Sequence, residues 1–382
     1  MKYSKLERTD KGFLSRVLTL RVRSKTIQTP VRAVHLTQSA ECESRNVRTA
    51  SINELFRSVT PKILHQIDGD LQKQQQFTSS LVNAIQRNPH PDALNVVFFS
   101  YVSPQGITPS RRETEYLFDL MNIAGADILV PPILQGSTGV SYLQFLDQFF
   151  TVYETINHRP IMGLIPYVSH RELDGILKFY EQRGVSLFSM DFHGRHPLRL
   201  QPNITRVLRY LRKLDADFGE PSYLHGLNVG QGRALASQPV KPAKDMLTFE
   251  MGFDSFGRAH VPPKLTPDLY GKLERAEKPP IRLFNRSDYG YYVASGSSLR
   301  NLPIEKDAII STGHFRKPAD YETLRKLEKA FNAERQVYET EILRDRIGRE
   351  RTLEHYLTTK THVRPMLKLL SKLASVVKQT TL

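Results

Sequence analysis

From residue 94 to residue 253 the chain repeats one pattern, a short apolar run followed by a segment with helical periodicity. Strand-like runs lie at 95–102, 127–133, 160–168, 186–192, 223–229 and 246–253. Between them, helices are predicted over 111–123, 141–156, 170–183, 202–214 and 231–244. In 170–183, Leu173, Ile176, Leu177 and Tyr180 fall on one face at spacings of three and four, and Gly184 follows as a terminator. Apolar strands alternating with helices of this length predict a parallel sheet. Val31–Leu36 reads as one more strand after a basic hairpin in residues 13–37, and a further early or late strand brings the count to eight. The expected fold class is therefore α/β, a TIM-like (β/α)8 barrel with an N-terminal hairpin and a C-terminal helical extension. An open doubly wound sheet is the alternative, but no GxGxxG or GxxxxGK[ST] loop follows any strand.

The expected divisions are 1–261 for the barrel with its hairpin, 262–318 for a Pro-, Gly- and Tyr-rich excursion with the last barrel elements, and 319–382 for a basic helical extension. Residues 52–88 read as polar and helical. With 382 residues, 40% of them hydrophobic, the chain can bury a barrel-sized core. No apolar run approaches the roughly 20 residues that span a bilayer, so no membrane partner is expected. The N-terminus lacks a hydrophobic signal core, and the single cysteine, Cys42, excludes a disulfide framework and a multi-cysteine zinc site. A cytoplasmic location follows as an expectation.

The formal charge of +15 points to a polyanionic partner, because basic side chains release counterions from phosphates. Arg16, Arg21, Arg23, Lys25 and Arg32 occur without an intervening acid, as do Lys360, Arg364, Lys368, Lys372 and Lys378. Arg21, Arg23, Lys25, Arg364 and Lys368 are thus candidate phosphate contacts, together with Arg195 and Arg258.

In a barrel, polar residues just past strand ends carry chemistry. Asp191, trailed by His193, Gly194, Arg195 and His196, is the sharpest candidate for proton transfer. Glu250 and Asp254 form a second acidic pair around the run 246–253. Ser103, Gln105 and Gln135 follow strand-like runs and could read the edge of a base, since an amide both donates and accepts. His225 and Gly226 sit in YLHGLNVG, where glycine leaves room for a planar ligand.

These segments resemble the tRNA-guanine transglycosylase family. Tyr223-Leu224-His225-Gly226 is similar to the family's YLMG strand, and Asp245-Met246-Leu247-Thr248 to its DMFD segment. Phe253-Asp254-Ser255 is similar to an FDS found in archaeal members, and GADI at 125–128 to an internal family strand. In the first register the nucleophile position holds Thr248, whereas the local triplet favours Asp254; Glu250 competes with both. The family's DSGGFQ segment is matched only by Ser103 and Gln105, without its aspartate, and the cysteines of its zinc site are missing.

The resemblance implies a pentosyltransferase, a base-exchange enzyme that replaces guanine with a 7-deazaguanine (preQ0-like) base in DNA or tRNA. It implies a covalent Asp–sugar intermediate, with Asp254 or Glu250 as nucleophile and Asp191 as acid/base, and the 7-deazapurine as co-substrate without another cofactor or metal. A homo- or hetero-dimer fits this expectation. The alternative is a non-catalytic nucleic-acid-binding paralogue that serves as an accessory subunit. A third reading is an unrelated barrel enzyme acting on phosphorylated substrates.

Overall fold

The computed structural model describes residues 3–37, 39–103, 106–156, 159–232, 238–260, 280–295, 298–302, 308–317 and 319–379. Strands β1 (Ser4–Thr9), β2 (Arg16–Val22) and β3 (Lys25–Gln28) form an antiparallel N-terminal sheet. The basic hairpin predicted within 13–37 is its second and third strands; Ser4–Thr9 adds the first.

The next strands, in chain order, are β4 (Val31–Arg32), β5 (Val34–His35), β6 (Ile52–Val59), β7 (Leu94–Val102), β8 (Ile133–Gln135), β9 (Met162–Ile165), β10 (Leu187–Asp191) and β11 (Tyr223–Val229). They are followed by β12 (Val240–Pro242), β13 (Ser255–Arg258), β14 (Arg282–Asn285) and β15 (Gly290–Val293). Parallel pairing runs β5–β6–β7–β8 on one side and β4–β13–β11–β10–β9 on the other. Ala33 alone separates β4 from β5. Single parallel bridges, Val96–Ile128 and Leu129–Ile161, continue the pairing from β7 to the residue before β9. Each parallel segment from β4–β5 to β13 thus has a parallel neighbour on both sides.

The main helices are α1 (Pro61–Asp68), α2 (Leu71–Ile85), α3 (Arg111–Ile123), α4 (Gly139–Ile156), α5 (His170–Gln182), α6 (Gln201–Phe218), α7 (Tyr321–Glu350), α8 (Glu354–Thr358) and α9 (Leu367–Lys378). α3 and α5 start at capping boxes, Ser110 with Glu113 and Ser169 with Glu172, which satisfy the first backbone N–H groups. The face predicted for α5 is buried through Leu173, Ile176, Leu177 and Tyr180.

Four sequence expectations are corrected. Residues 52–59 form a strand, β6, buried over most of its length; Asn53 and Glu54, buried on its two opposite faces, disguise its period. The run 127–133 makes only single bridges before β8, because Pro131 and Pro132 have no N–H to donate to a ladder. Within 231–244, residues 240–242 are β12 rather than helix, with Pro239 and Pro242 at its ends. The run 246–253 is not a strand: Lys244–Thr248 is a 3-10 turn, Gly252 has φ +94°, and the strand begins at Ser255.

The C-terminal helices are built into the main body. α7 buries Asn332, Glu334, Arg335, Gln336 and Glu339, and its Ala333, Val337, Leu343 and Ile347 share the main hydrophobic core. Asn332 receives Phe284 N–H at 2.7 Å and donates to Arg282 O at 2.9 Å, tying α7 to the antiparallel sheet β12–β15–β14. No described helix is long and apolar enough to cross a membrane.

Candidate functional site

A buried polar network lies among β5, β6, β11 and the segment around β13, at mid-strand on β6 and β11. Glu54 on β6 is its centre and is fully buried. His225 Nε2 from β11 lies 2.7 Å from Glu54 Oε1, and His260 Nε2, two residues past β13, lies 2.6 Å from Glu54 Oε2. Beyond His260, its Nδ1 contacts His35 Nε2 at the end of β5. On the other side, His225 Nδ1 is 2.7 Å from Ser255 Oγ, which bonds the Tyr223 hydroxyl.

His260 Nε2 is hydrogen-bonded to Glu54 Oε2, whereas His225 Nε2 and Glu54 Oε1 lie close together without hydrogen-bond geometry. Burial, the largest influence on Glu54, favours its neutral form, but the adjoining His225 and His260 rings overcome it and bring the carboxyl down to about 2. Burial, then the charges of His260, Arg32 and Arg258, hold His35 well below an ordinary imidazole, so it is neutral. Gly257 makes room for the centre: a Cβ there would lie 1.9 Å from Glu54 Oε1.

Asp191 ends β10, as the sequence predicts, and is buried. Its Oδ1 accepts Asn228 Nδ2 at 2.9 Å and His193 N–H at 2.8 Å, while Asn228 Oδ1 accepts His260 N–H at 3.0 Å. Asp191 is thereby joined to the Glu54 centre through Asn228. Burial raises its carboxyl, against the lowering effects of Asn228 and His193. His193 and Asn228 both take left-handed backbone conformations, φ +49° and +56°, uncommon for residues with a Cβ and costing of order 1 kcal/mol each. The two residues lie at adjacent strand ends, those of β10 and β11.

The two expected nucleophiles are elsewhere. Asp254 precedes β13 and sits at the opposite end: its N–H donates to Leu224 O, whereas Asp191 is in register with Leu227, three residues further along β11. That separation is roughly 10 Å along the strand direction alone. Both Asp254 oxygens are taken by Arg16, Nε at 2.9 Å and Nη2 at 2.8 Å, and Oδ2 also accepts Leu224 N–H at 2.8 Å. This is a structural clamp between the N-terminal sheet and the strand bottoms. Arg16, Asp215 and Arg212 line a cavity of about 580 Å³ there. Glu250 is also at this end, fully buried, its backbone carbonyl accepting Leu14 N–H. The Thr248 hydroxyl donates to Asp245 O at 2.6 Å. None of the three faces Asp191.

The remaining candidates divide in the same way. Gly226 is packed: a Cβ would touch Val229, Phe192 and Phe256 at 3.1–3.3 Å, so the glycine answers to the core, not to a ligand. His225 points into the network below it. Ser103 is half-buried just past β7, Gln135 donates to Ser100 Oγ at 3.2 Å, and Gln105 lies outside the described residues. Arg195 stacks on Tyr167, 4.0 Å from the ring centre, beside Asp191. Arg258 ends β13, 3.8 Å from Glu41. Lys25 and Arg23 are bound to Asp127, at 2.6 and 3.8 Å, at the start of its strand segment; with exposed Arg21 they belong to the N-terminal sheet, away from Asp191. Arg364 and Lys368 are exposed beside and on α9. Among the described residues no group of three or more His, Cys, Asp or Glu side chains is arranged to hold a metal.

Sequence reasoning missed Glu54, His35, Asn228 and His260. The available signals were a glutamate inside the apolar run INELF, an Asn-Val-Gly strand end, and a histidine two residues past a strand. In comparisons with known proteins, no family model matches the chain and no curated protein matches it.

Proposed function

We propose that the chain is a closed (β/α)8 barrel that exchanges a base in a nucleic acid at the linked carboxyl groups of Glu54 and Asp191. Parallel neighbours on both sides of every strand segment support closure. The observation that carries the chemistry is a pair of linked buried acids with opposite displacements: Glu54 held ionised by two imidazoles and Asp191 raised by burial. Such a split divides the roles of nucleophile and acid between two carboxyl groups.

In the proposed reaction Glu54 attacks C1′ of the sugar, the C1′–N9 bond breaks, and its electron pair leaves with guanine, which takes a proton from Asp191. An incoming 7-deazaguanine gives its proton to Asp191 and attacks C1′, releasing Glu54. The reactive base must leave its stack to reach the site, which suits a chain of charge +15. The test is incubation with tRNA or duplex DNA and labelled guanine or 7-cyano-7-deazaguanine. Incorporation that disappears in Glu54→Gln and Asp191→Asn but survives in Asp254→Asn supports this reading; incorporation lost only in Asp254→Asn refutes it.

The engagement of Asp254 by Arg16 and the complete burial of both Glu54 and Glu250 favour a second reading, the non-catalytic nucleic-acid-binding subunit. Salt-sensitive binding with no incorporation on either polymer would select it.

A further inference from the structure

The loops after β10 and β11 are clasped to one another. Gly194 N–H donates to Asn228 O at 3.0 Å and Gly230 N–H to Arg195 O at 2.9 Å. A Cβ on Gly230 would lie 1.9 Å from Gly194 O, so the loops could not approach this closely with any other residue there. Beside the clasp, three buried polar atoms have no hydrogen-bond partner among the described residues: Arg195 Nη1, His196 Nδ1 and Gln231 Nε2. Lys241 Nζ lies 3.3 Å from Gln231 Oε1, which occupies the amide oxygen and leaves the NH₂ group to donate. The Arg195 guanidinium lies 4.0 Å from the centre of the Tyr167 ring, and Tyr167 is 47% exposed.

The surroundings are cationic. Burial and then the charges of Lys244, Arg199 and Lys241 bring His196 down to about 4, so it is neutral at pH 7 beside these cations. Oriented N–H donors, local positive charge and an exposed aromatic face suit a phosphodiester with an adjoining unpaired base.

We infer that Arg195, Gln231 and His196 form a phosphate subsite for a single-stranded polynucleotide, and that Tyr167, stacked under Arg195, receives the base next to that phosphate. The inference rests on the nucleic-acid reading above but not on catalysis. Arg195 follows Asp191 by four residues, so this subsite would hold the strand beside the extruded nucleotide.

The test is fluorescence anisotropy of the full chain with a labelled single-stranded oligonucleotide and with the same strand made abasic, across a salt series. Arg195→Ala and Gln231→Ala should each weaken binding about tenfold, and Arg195→Ala should reduce the salt slope by about one. Tyr167→Leu should weaken binding of the intact strand about tenfold and leave the abasic strand nearly unchanged. Arg195→Lys, which keeps the charge but not the planar fork, should fall between wild type and Arg195→Ala. Thermal melting checks that each variant is folded, and the exposed position of Tyr167 makes its variant safe in this respect. Wild-type affinity and salt slope in folded Arg195→Ala, or equal losses on both strands in Tyr167→Leu, would overturn the inference. Binding with these dependences but without base exchange would uphold it while refuting the exchange reading.

Discussion

Glu250 gives the sharpest prediction about stability. Its carboxyl is fully buried and neither oxygen has a hydrogen-bond partner. Burial first, then the nearby charges of Asp10 and Glu339, push it from 4.5 up to about 8. The folded protein therefore keeps this proton at neutral pH, while the unfolded chain releases it above the ordinary carboxylate range. For a raised group, stability is fully present below the unfolded value and is lost as pH rises to the folded value. The slope is about 1.4 kcal/mol per pH unit, and a displacement of this size accumulates to roughly 5 kcal/mol at about pH 8 and above. Glu250→Gln retains the shape and cannot ionise. Urea unfolding of both proteins from about pH 5 to about pH 9 measures the difference directly, since other titrating groups cancel between them. The variant should gain several kcal/mol over wild type across this range, with the difference levelling above about pH 8. Parallel stability curves for the two proteins would show that Glu250 reaches solvent or a partner and would refute the reasoning.

Removing the clamp by Arg16→Ala should cost about 3 kcal/mol in denaturant unfolding, because Asp254 is left buried and unpaired. Gly257→Ala should abolish base exchange by displacing the Glu54 carboxylate, which a Cβ would otherwise overlap, while oligonucleotide binding persists. His35, displaced downward from 6.5, contributes stability that is lost as pH falls below that value. Folded His35→Gln should therefore show a shallower acid limb in its stability–pH curve.

The helices of the α/β repeat were legible because their apolar faces follow the helical period and their starts carry Ser–x–x–Glu boxes, as in α3 and α5. Strands were harder to read. β6 hides its period because both of its faces are buried and one carries Glu54, while Pro131 and Pro132 break the segment before β8. For the candidate site, Asp191 was readable from its position at the end of an apolar run. Asp254 looked equivalent, but the apolar residues 246–253 pack as turns, which moves the acid from the end of a strand to its beginning. Glu54, His225 and His260 come from three separate strand regions, and their contacts exist only after the parallel pairings bring them together. No local pattern in the sequence records that arrangement.

The most direct measurement is to stop a base-exchange reaction by rapid denaturation and map any protein–sugar adduct by peptide mass spectrometry. The account predicts an adduct on the peptide carrying Glu54, absent in Glu54→Gln. An adduct on Asp254 or Glu250, or exchange that proceeds with no adduct, would contradict it.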